Sequence, residues 1–306
     1  MPYLQAILGS SLTVQGDFVM HRISTFCLLY LLASVAVAER PLTVLLTNDD
    51  GYLAPGIQAL RAALLEAGHT VYLIAPEANQ SGSATSITSQ GVAYTRHGNQ
   101  VWSVAGRPAD AVRLGLGHIM QDNPPDLVLS GINFGQNVGQ DVMVSGTVGA
   151  AVTALQLGFP AIATSAEINF SEAATGFSST LITFAWAAPF IAELIRDPRT
   201  RFDHSFLNLN FPTQTKPKGL KQAPLAASSI LSVDFKENDS GLWRSGYETN
   251  PTDKPGSDRP LLAEGFITIT QLGISYEPVP INSADLTWIE SRTLDTQVGQ
   301  SSSVDP

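Results

Sequence analysis

A short apolar run that stops at two adjacent carboxylates constrains this chain more than any other feature. Residues 42–47 read Leu-Thr-Val-Leu-Leu-Thr, and Asn48-Asp49-Asp50-Gly51 follows at once. A run this short, apolar and rich in β-branched residues, suits a strand buried on both faces, as in parallel sheets. Pro55 then opens a helical pattern with Ile57, Leu60, Ala63 and Leu64 on one face, and Gly68 closes it. Residues 70–75 form the next strand, so strand, helix and strand fall within the ~30 residues that a parallel crossover needs.

The alternation continues along the chain. Residues 92–94 and 101–104 flank the polar 96–100 and predict a hairpin. Helices are expected over 108–120, 147–157 (small residues, Gly158 at the end) and 177–195, with strands over 126–129, 160–164 and 206–211. That order predicts the α/β class, a doubly wound, mostly parallel sheet covered on both faces. Beyond 213 the texture changes: residues 213–260 are rich in Lys, Pro, Ser, Asp and Gly and read as an irregular arm. A final strand is expected over 265–272, and from 278 to 306 the chain is a polar tail.

The first 38 residues stand apart from this pattern. Met20-His21-Arg22 precedes an apolar run over 26–37, and Ala36-Val37-Ala38 is followed by Glu39-Arg40. A basic start, a short apolar core and Ala-x-Ala predict a secretory leader over 1–38, starting from Met20, with no stable membrane anchor after cleavage. The single cysteine, Cys27, lies inside it, so the exported chain has none to form a disulfide. Asn79, Asn169 and Asn238 each open an Asn-x-Ser acceptor pattern. A glycan on Asn79 would obstruct the candidate site described next, which favours a bacterial periplasm over a eukaryotic secretory route. The formal charge of −10 repels a polyanion, so duplex nucleic acid is not an expected partner. A small anionic substrate is still allowed, because a cation can reverse the local potential.

Three polar clusters follow predicted strands, where ligands gather in open α/β sheets. Asp49-Asp50 repel each other unless a cation joins them, and hard oxygen ligands favour Mg²⁺, Mn²⁺ or Ca²⁺. Alone, the pair could equally cap a turn or the Pro55 helix. The second cluster, 79–86, is rich in hydroxyls and amides that could meet a phosphate, or is an ordinary loop. The third runs from Ser130-Gly131-Ile132-Asn133 through Asn137 to Ser145-Gly146-Thr147, where a small-residue helix begins and its dipole favours an anion.

Jointly these blocks resemble the SurE family of survival-protein nucleotidases. The resemblance rests on LLTNDDG at 45–51, APGI at 54–57 and APEANQSG at 75–82. It continues through GRPADAV at 106–112, PDLVLSGINFGQNVGQDVMVSGTVGAA at 125–151 and LGFPAIATS at 157–165. It implies a Rossmann-like core over 39–277 and a metal-dependent phosphomonoesterase acting on nucleoside 5′- or 3′-monophosphates. It also implies an arm over 213–265 used in homodimer or homotetramer contacts. Carried over by position, Asp49, Asp50, Ser81 and Asn133 would hold one divalent cation, Mg²⁺ or Mn²⁺. Asn137, Ser145, Gly146 and Thr147 would line the substrate phosphate. The chain departs from the family at Glu77-Ala78, where Asp-Arg is usual, at Thr85-Ser86-Ile87-Thr88 for Asn-Ser-Leu-Thr, and at Gln140 for Asp.

The expected chemistry is attack by a cation-activated water, with a carboxylate of the Asp49–Asp50 pair taking its proton. His69 and His118 lie on or at the end of predicted helices and are expected to pack rather than react. Ser145 or Thr147 as a covalent nucleophile is disfavoured, because no histidine lies nearby in sequence to act as base. Two alternatives stay open. The strand–APGI–helix–EAGHTVYLIAP text also resembles the amino-terminal half of two-domain glycosyltransferases. A non-catalytic exported nucleotide- or metal-binding module is the other.

Overall fold

The computed structural model describes residues 40–229, 231–237, 243–249 and 253–274. The expected leader over 1–38 and tail over 278–306 lie outside the described residues. In chain order the elements begin β1 (Thr43–Thr47), α1 (Pro55–Glu66), β2 (Thr70–Pro76), β3 (Tyr94–Gly98), β4 (Val101–Val104) and α2 (Pro108–Leu114). Next come β5 (Leu127–Phe134), α3 (Gly146–Gln156), β6 (Ala161–Ala166), α4 (Ser178–Leu194) and β7 (Ser205–Phe211). The last group is β8 (Leu220–Gln222), β9 (Leu231–Glu237), β10 (Trp243–Thr249), α5 (Asp258–Ala263) and β11 (Ile267–Gly273).

Nine strands form one sheet in the order β3-β4-β2-β1-β5-β6-β7-β11-β8. From β4 to β7 all neighbours are parallel. Antiparallel pairs, β3 with β4 and β11 with β7, close the two flanks. The chain builds outward from β1 through β2 and β4, then returns to lay β5, β6 and β7 on the other side. The crevice between β1 and β5 is therefore the topological switch point, where ligands bind in sheets of this kind.

Strict alternation along the buried strands feeds two cores. Val44 and Leu46 join Ile57, Leu60 and Leu64 of α1 and Phe184 and Ile191 of α4 on one face. Leu45 points the other way, to Ile74, Val112 of α2 and Val148, Ala151 and Ala154 of α3. The fold is thus the Rossmann-like, doubly wound α/β arrangement expected from the sequence.

Four local expectations need correction. The hairpin forms, but its first strand is Tyr94–Gly98 and takes in most of the polar stretch expected to be its turn. The helix expected over 108–120 is α-helical only to Leu114 and continues as a π-turn over Gly115–Ile119. Ser130 to Asn133 does not follow a strand; it lies within β5, whose pairing with β6 shifts register between Ser130 and Asn133. The stretch over 213–265 is less irregular than expected. It adds β8 to the main sheet, forms the antiparallel pair β9–β10, and ends in α5.

Candidate active site

Asn48 closes the turn after β1 by itself. Its amide donates to the Gly51 carbonyl at 2.9 Å, and its Oδ1 accepts from the Gly51 N–H at 3.3 Å. Helix α1 begins at Pro55 behind Ala54, with no side-chain cap. Neither Asp49 nor Asp50 therefore performs the capping role that the sequence alone left open to them.

Asp49 is buried, at 3% exposure, and meets the start of α3. Its Oδ1 accepts from the Thr147 hydroxyl. Burial pushes its carboxyl up, against the lowering effect of that hydroxyl and of the Gly146 and Thr147 backbone. Asp50 accepts from the Phe134 N–H at 2.9 Å, at the end of β5. Burial first, and the Asp49 charge second, push its carboxyl up to about 7. Among the described residues neither carboxylate makes an ion pair. Two adjacent acids in a low-dielectric crevice thus lack a counter-charge.

The segments carrying Ser81, Asn133 and the start of α3 are tied to this pair. The Gln80 N–H donates to the Asp49 carbonyl at 2.7 Å, which pins the loop carrying Ser81 over the turn. Ser81 itself is exposed, its N–H held by Asn79 Oδ1 at 2.9 Å. Asn133, one residue before the donor to Asp50, gives its Nδ2 to the Gly135 carbonyl at 2.7 Å, which leaves Oδ1 as its atom for a ligand. The register shift in β5 is the kind of bulge that re-aims a side chain at a strand end. Ser145 caps α3 by accepting from the Val148 N–H at 3.1 Å.

Asn137 is held elsewhere, by β6 and β7. Its N–H donates to Asn210 Oδ1 at 2.8 Å, its side chain to Ser165 Oγ at 2.8 Å, and its carbonyl accepts from Asn208 and Asn210. His69 joins β1 to α4, accepting the Leu42 N–H at 3.0 Å and facing the Ala192 carbonyl, and burial lowers its basicity. His118 faces Tyr94 on the edge strand.

Sequence reasoning did not single out Ser83. Its Oγ is buried without a hydrogen-bond partner among the described residues. A Cβ on Gly146 would lie 2.6 Å from that hydroxyl and 2.9 Å from Asp49 Oδ2. The serine hydroxyl, the carboxylate and the first turn of α3 therefore surround one point. Its only advance signal was its place in a hydroxyl-rich loop.

The donor set fits a hard cation. Two carboxylates short of counter-charge lie on segments tied to those of Ser81 and Asn133, whose side-chain oxygens are neutral, and Ser83 adds a buried hydroxyl with no partner among the described residues. The donors named here are all oxygens, without the nitrogen and sulfur that zinc prefers, and among the described residues no group of three or more His, Cys, Asp or Glu is placed to hold a metal ion. A cation such as Mg²⁺ commonly takes one or two carboxylates and completes its shell with water and substrate.

Residues 44–231 match the family described as Survival protein SurE. This chain belongs to the SurE family. Among curated relatives, it is 36% identical over 247 residues to a protein named 5′-nucleotidase SurE from Nitratidesulfovibrio vulgaris (strain Miyazaki F), covering 76% of this chain and 87% of the relative. It is 38% identical over 239 residues to the protein of the same name from Solidesulfovibrio magneticus, covering 75% and 90%. Among solved structures, the SurE protein from Aquifex aeolicus superposes with a TM-score of 0.65 at 30% identity, covering 81% of this chain and 99% of that one. These likenesses agree with the Rossmann-like, mostly parallel α/β fold described above.

Proposed function

We propose that this SurE chain is a cation-dependent phosphomonoesterase that hydrolyses nucleoside 5′- or 3′-monophosphates to nucleoside and phosphate. Family membership supports a phosphoric-monoester hydrolase of the nucleotide-phosphatase kind. The observation that carries the reading is the meeting of Asp49 with Gly146 and Thr147, which sets an acid pair against the positive end of α3 at the switch point. Asp49, Asp50, Ser81 and Asn133 would hold one divalent cation, Mg²⁺ or Mn²⁺, which supplies Lewis-acid polarisation of a phosphate oxygen and a more acidic water.

The chain's own groups do the rest. The first turn of α3, with Ser145, Gly146 and Thr147, would offer its dipole to the equatorial phosphate oxygens. Asn137 joins the phosphate side only through the family resemblance, since its amide is given to Ser165 and its backbone to β7. Asp50 is the better placed proton acceptor: among the described residues its carboxylate meets the Phe134 N–H, whereas Asp49 is held by the Thr147 hydroxyl and the Gly146 and Thr147 backbone. Burial around the pair excludes competing water and strengthens each of these interactions. Export to a bacterial periplasm rests on the leader at 1–38, and assembly as a homodimer or homotetramer rests on the arm at 213–265.

The glycosyltransferase alternative needs a second Rossmann domain. Among the described residues beyond 213, β8 and β11 join the first sheet and β9–β10 make a two-stranded ribbon. The test is phosphate release from purified protein on 5′- and 3′-nucleotides with Mg²⁺ or Mn²⁺, with and without chelator. Activity lost on chelation and in Asp49→Asn and Asp50→Asn is expected; full activity in either variant overturns the cation assignment. Tight nucleotide or Mn²⁺ binding without phosphate release would favour the binding module instead.

A further inference from the structure

The loop over 135–144 joins Asn133 to Ser145, so both of its ends lie at the site. Its middle is docked on distant parts of the chain. Asp258, the first residue of α5, is fully buried at 0% exposure, and its carboxylate meets backbone donors. Oδ2 accepts from the Gly139 N–H at 3.0 Å, while Oδ1 accepts from the N–H groups of Ala226 at 2.7 Å and Arg259 at 2.8 Å. Gly139 adopts φ +55°, and a Cβ there would lie 2.2 Å from the Ser228 carbonyl oxygen. That same carbonyl accepts from the Gln140 N–H at 3.2 Å. The Ser228 hydroxyl reaches Asp253 at 3.0 Å, and Asp253 pairs with Arg259 at 2.8 Å. Residues 139–140 thus rest on a platform made by 226–228 and 253–259.

We propose that Asp258 is a positioning residue for the phosphate site, fixing the loop over 135–144 and tying it to the root of the arm. The proposal rests on the function assigned above. A carboxylate is the group such a junction needs, because its two oxygens only accept and can serve all three N–H donors at once. An amide would turn an NH₂ toward one of those donors. Upstream, Asn208 and Asn210 hold Asn137 on the sheet, so Asp258 fixes the stretch between that anchor and the start of α3. The alternative is that Asp258 only caps α5, with no consequence for the site.

Two variants test this, Asp258→Asn and Gly139→Ala, the second leaving the carboxylate in place. Hydrogen exchange of backbone amides over 135–144 reads the docking directly. The inhibition constant of inorganic phosphate and the activation constant of Mn²⁺ read the two halves of the site separately. Expected are faster exchange in the loop for both variants and a rise of about tenfold in the phosphate constant, the scale of one lost charge-assisted hydrogen bond. The Mn²⁺ constant should stay unchanged. A lower thermal midpoint in Asp258→Asn with loop exchange and phosphate constant unchanged would overturn the proposal and leave Asp258 as a cap. If Asp258→Asn does not fold, unchanged loop exchange in Gly139→Ala overturns it equally. Faster loop exchange in a protein whose unmodified form releases no phosphate would support the docking and overturn the assigned function instead.

Discussion

Replacing Gly146 by alanine sets two opposite effects against each other, and the structure decides between them. Alanine is favoured over glycine by about 0.8–1 kcal/mol in a helix interior, an upper bound for Gly146 at the first position of α3, so the substitution alone should stabilise the helix slightly. At Gly146, however, the new Cβ would lie 2.6 Å from Ser83 Oγ, 2.8 Å from Asp49 Cβ and 2.9 Å from Asp49 Oδ2. Carbon atoms prefer separations of about 3.5–4.0 Å, so something must move by roughly 1 Å. Ser83 can rotate away. Asp49 cannot, because Gln80 holds its carbonyl, Thr147 its carboxylate, and Asn48 the turn before it. Overpacking of this kind costs about 1–3 kcal/mol, which exceeds the helical gain. A net destabilisation on the order of 1 kcal/mol is expected. The functional effect should be larger, since misplacing reacting groups by about 1 Å can cost on the order of 100-fold in rate. Urea denaturation and steady-state kinetics on a nucleotide with Mn²⁺ measure the two. Gly117→Ala is the control, since a Cβ there meets nothing within 4 Å. A Gly146→Ala enzyme that is more stable and fully active would refute the idea that α3 and Asp49 pack as one unit.

The acid pair makes a pH-dependent prediction for cation binding. With the Asp50 carboxyl raised to about 7 from 3.8, its protonated form is the one the ion-free fold prefers. That stability is fully present below the unfolded value and is lost as pH climbs through about 7. Mn²⁺ should therefore raise the thermal midpoint more at pH 8 than at pH 5, and equal shifts at both pH values would remove the pair from the cation site. Ser83→Ala should act with the opposite sign on the ion-free protein. Losing a buried hydroxyl that has no partner relieves a cost of about 1–3 kcal/mol, so the ion-free thermal midpoint should rise. A fall would show that the hydroxyl is satisfied.

The parallel centre was legible because β1, β2 and β5 are buried on both faces, and few other structures tolerate short runs so apolar. The same logic misplaced the end of β5. Polar Ser130 and the glycine after it look like the start of a loop, yet the strand runs on to Phe134 and carries Asn133 into the crevice. Strands at a switch point bear polar residues because their ends face a ligand rather than a core, so a hydropathy pattern stops too early there. The arm failed for a different reason. β8 has three residues and is held by pairing with β11 from far along the chain, so no local pattern announces it.

The site shows the same division between local and distant information. Asp49 and Asp50 could be found as a pair, but their freedom to act depends on Asn48 closing the turn, a hydrogen bond within the same four residues. Ser83 and Asp258 could not be found that way. Each gains its meaning from a partner brought near by folding, Gly146 in one case and Gly139 in the other. Both partners are glycines at which a Cβ would collide with the opposing chain, so the close approach and the missing side chain are one constraint seen from two sides. A glycine in a loop is a weak signal alone, but it shows where another segment must come close. In this chain those two contacts join the acid pair, the start of α3 and the root of the arm.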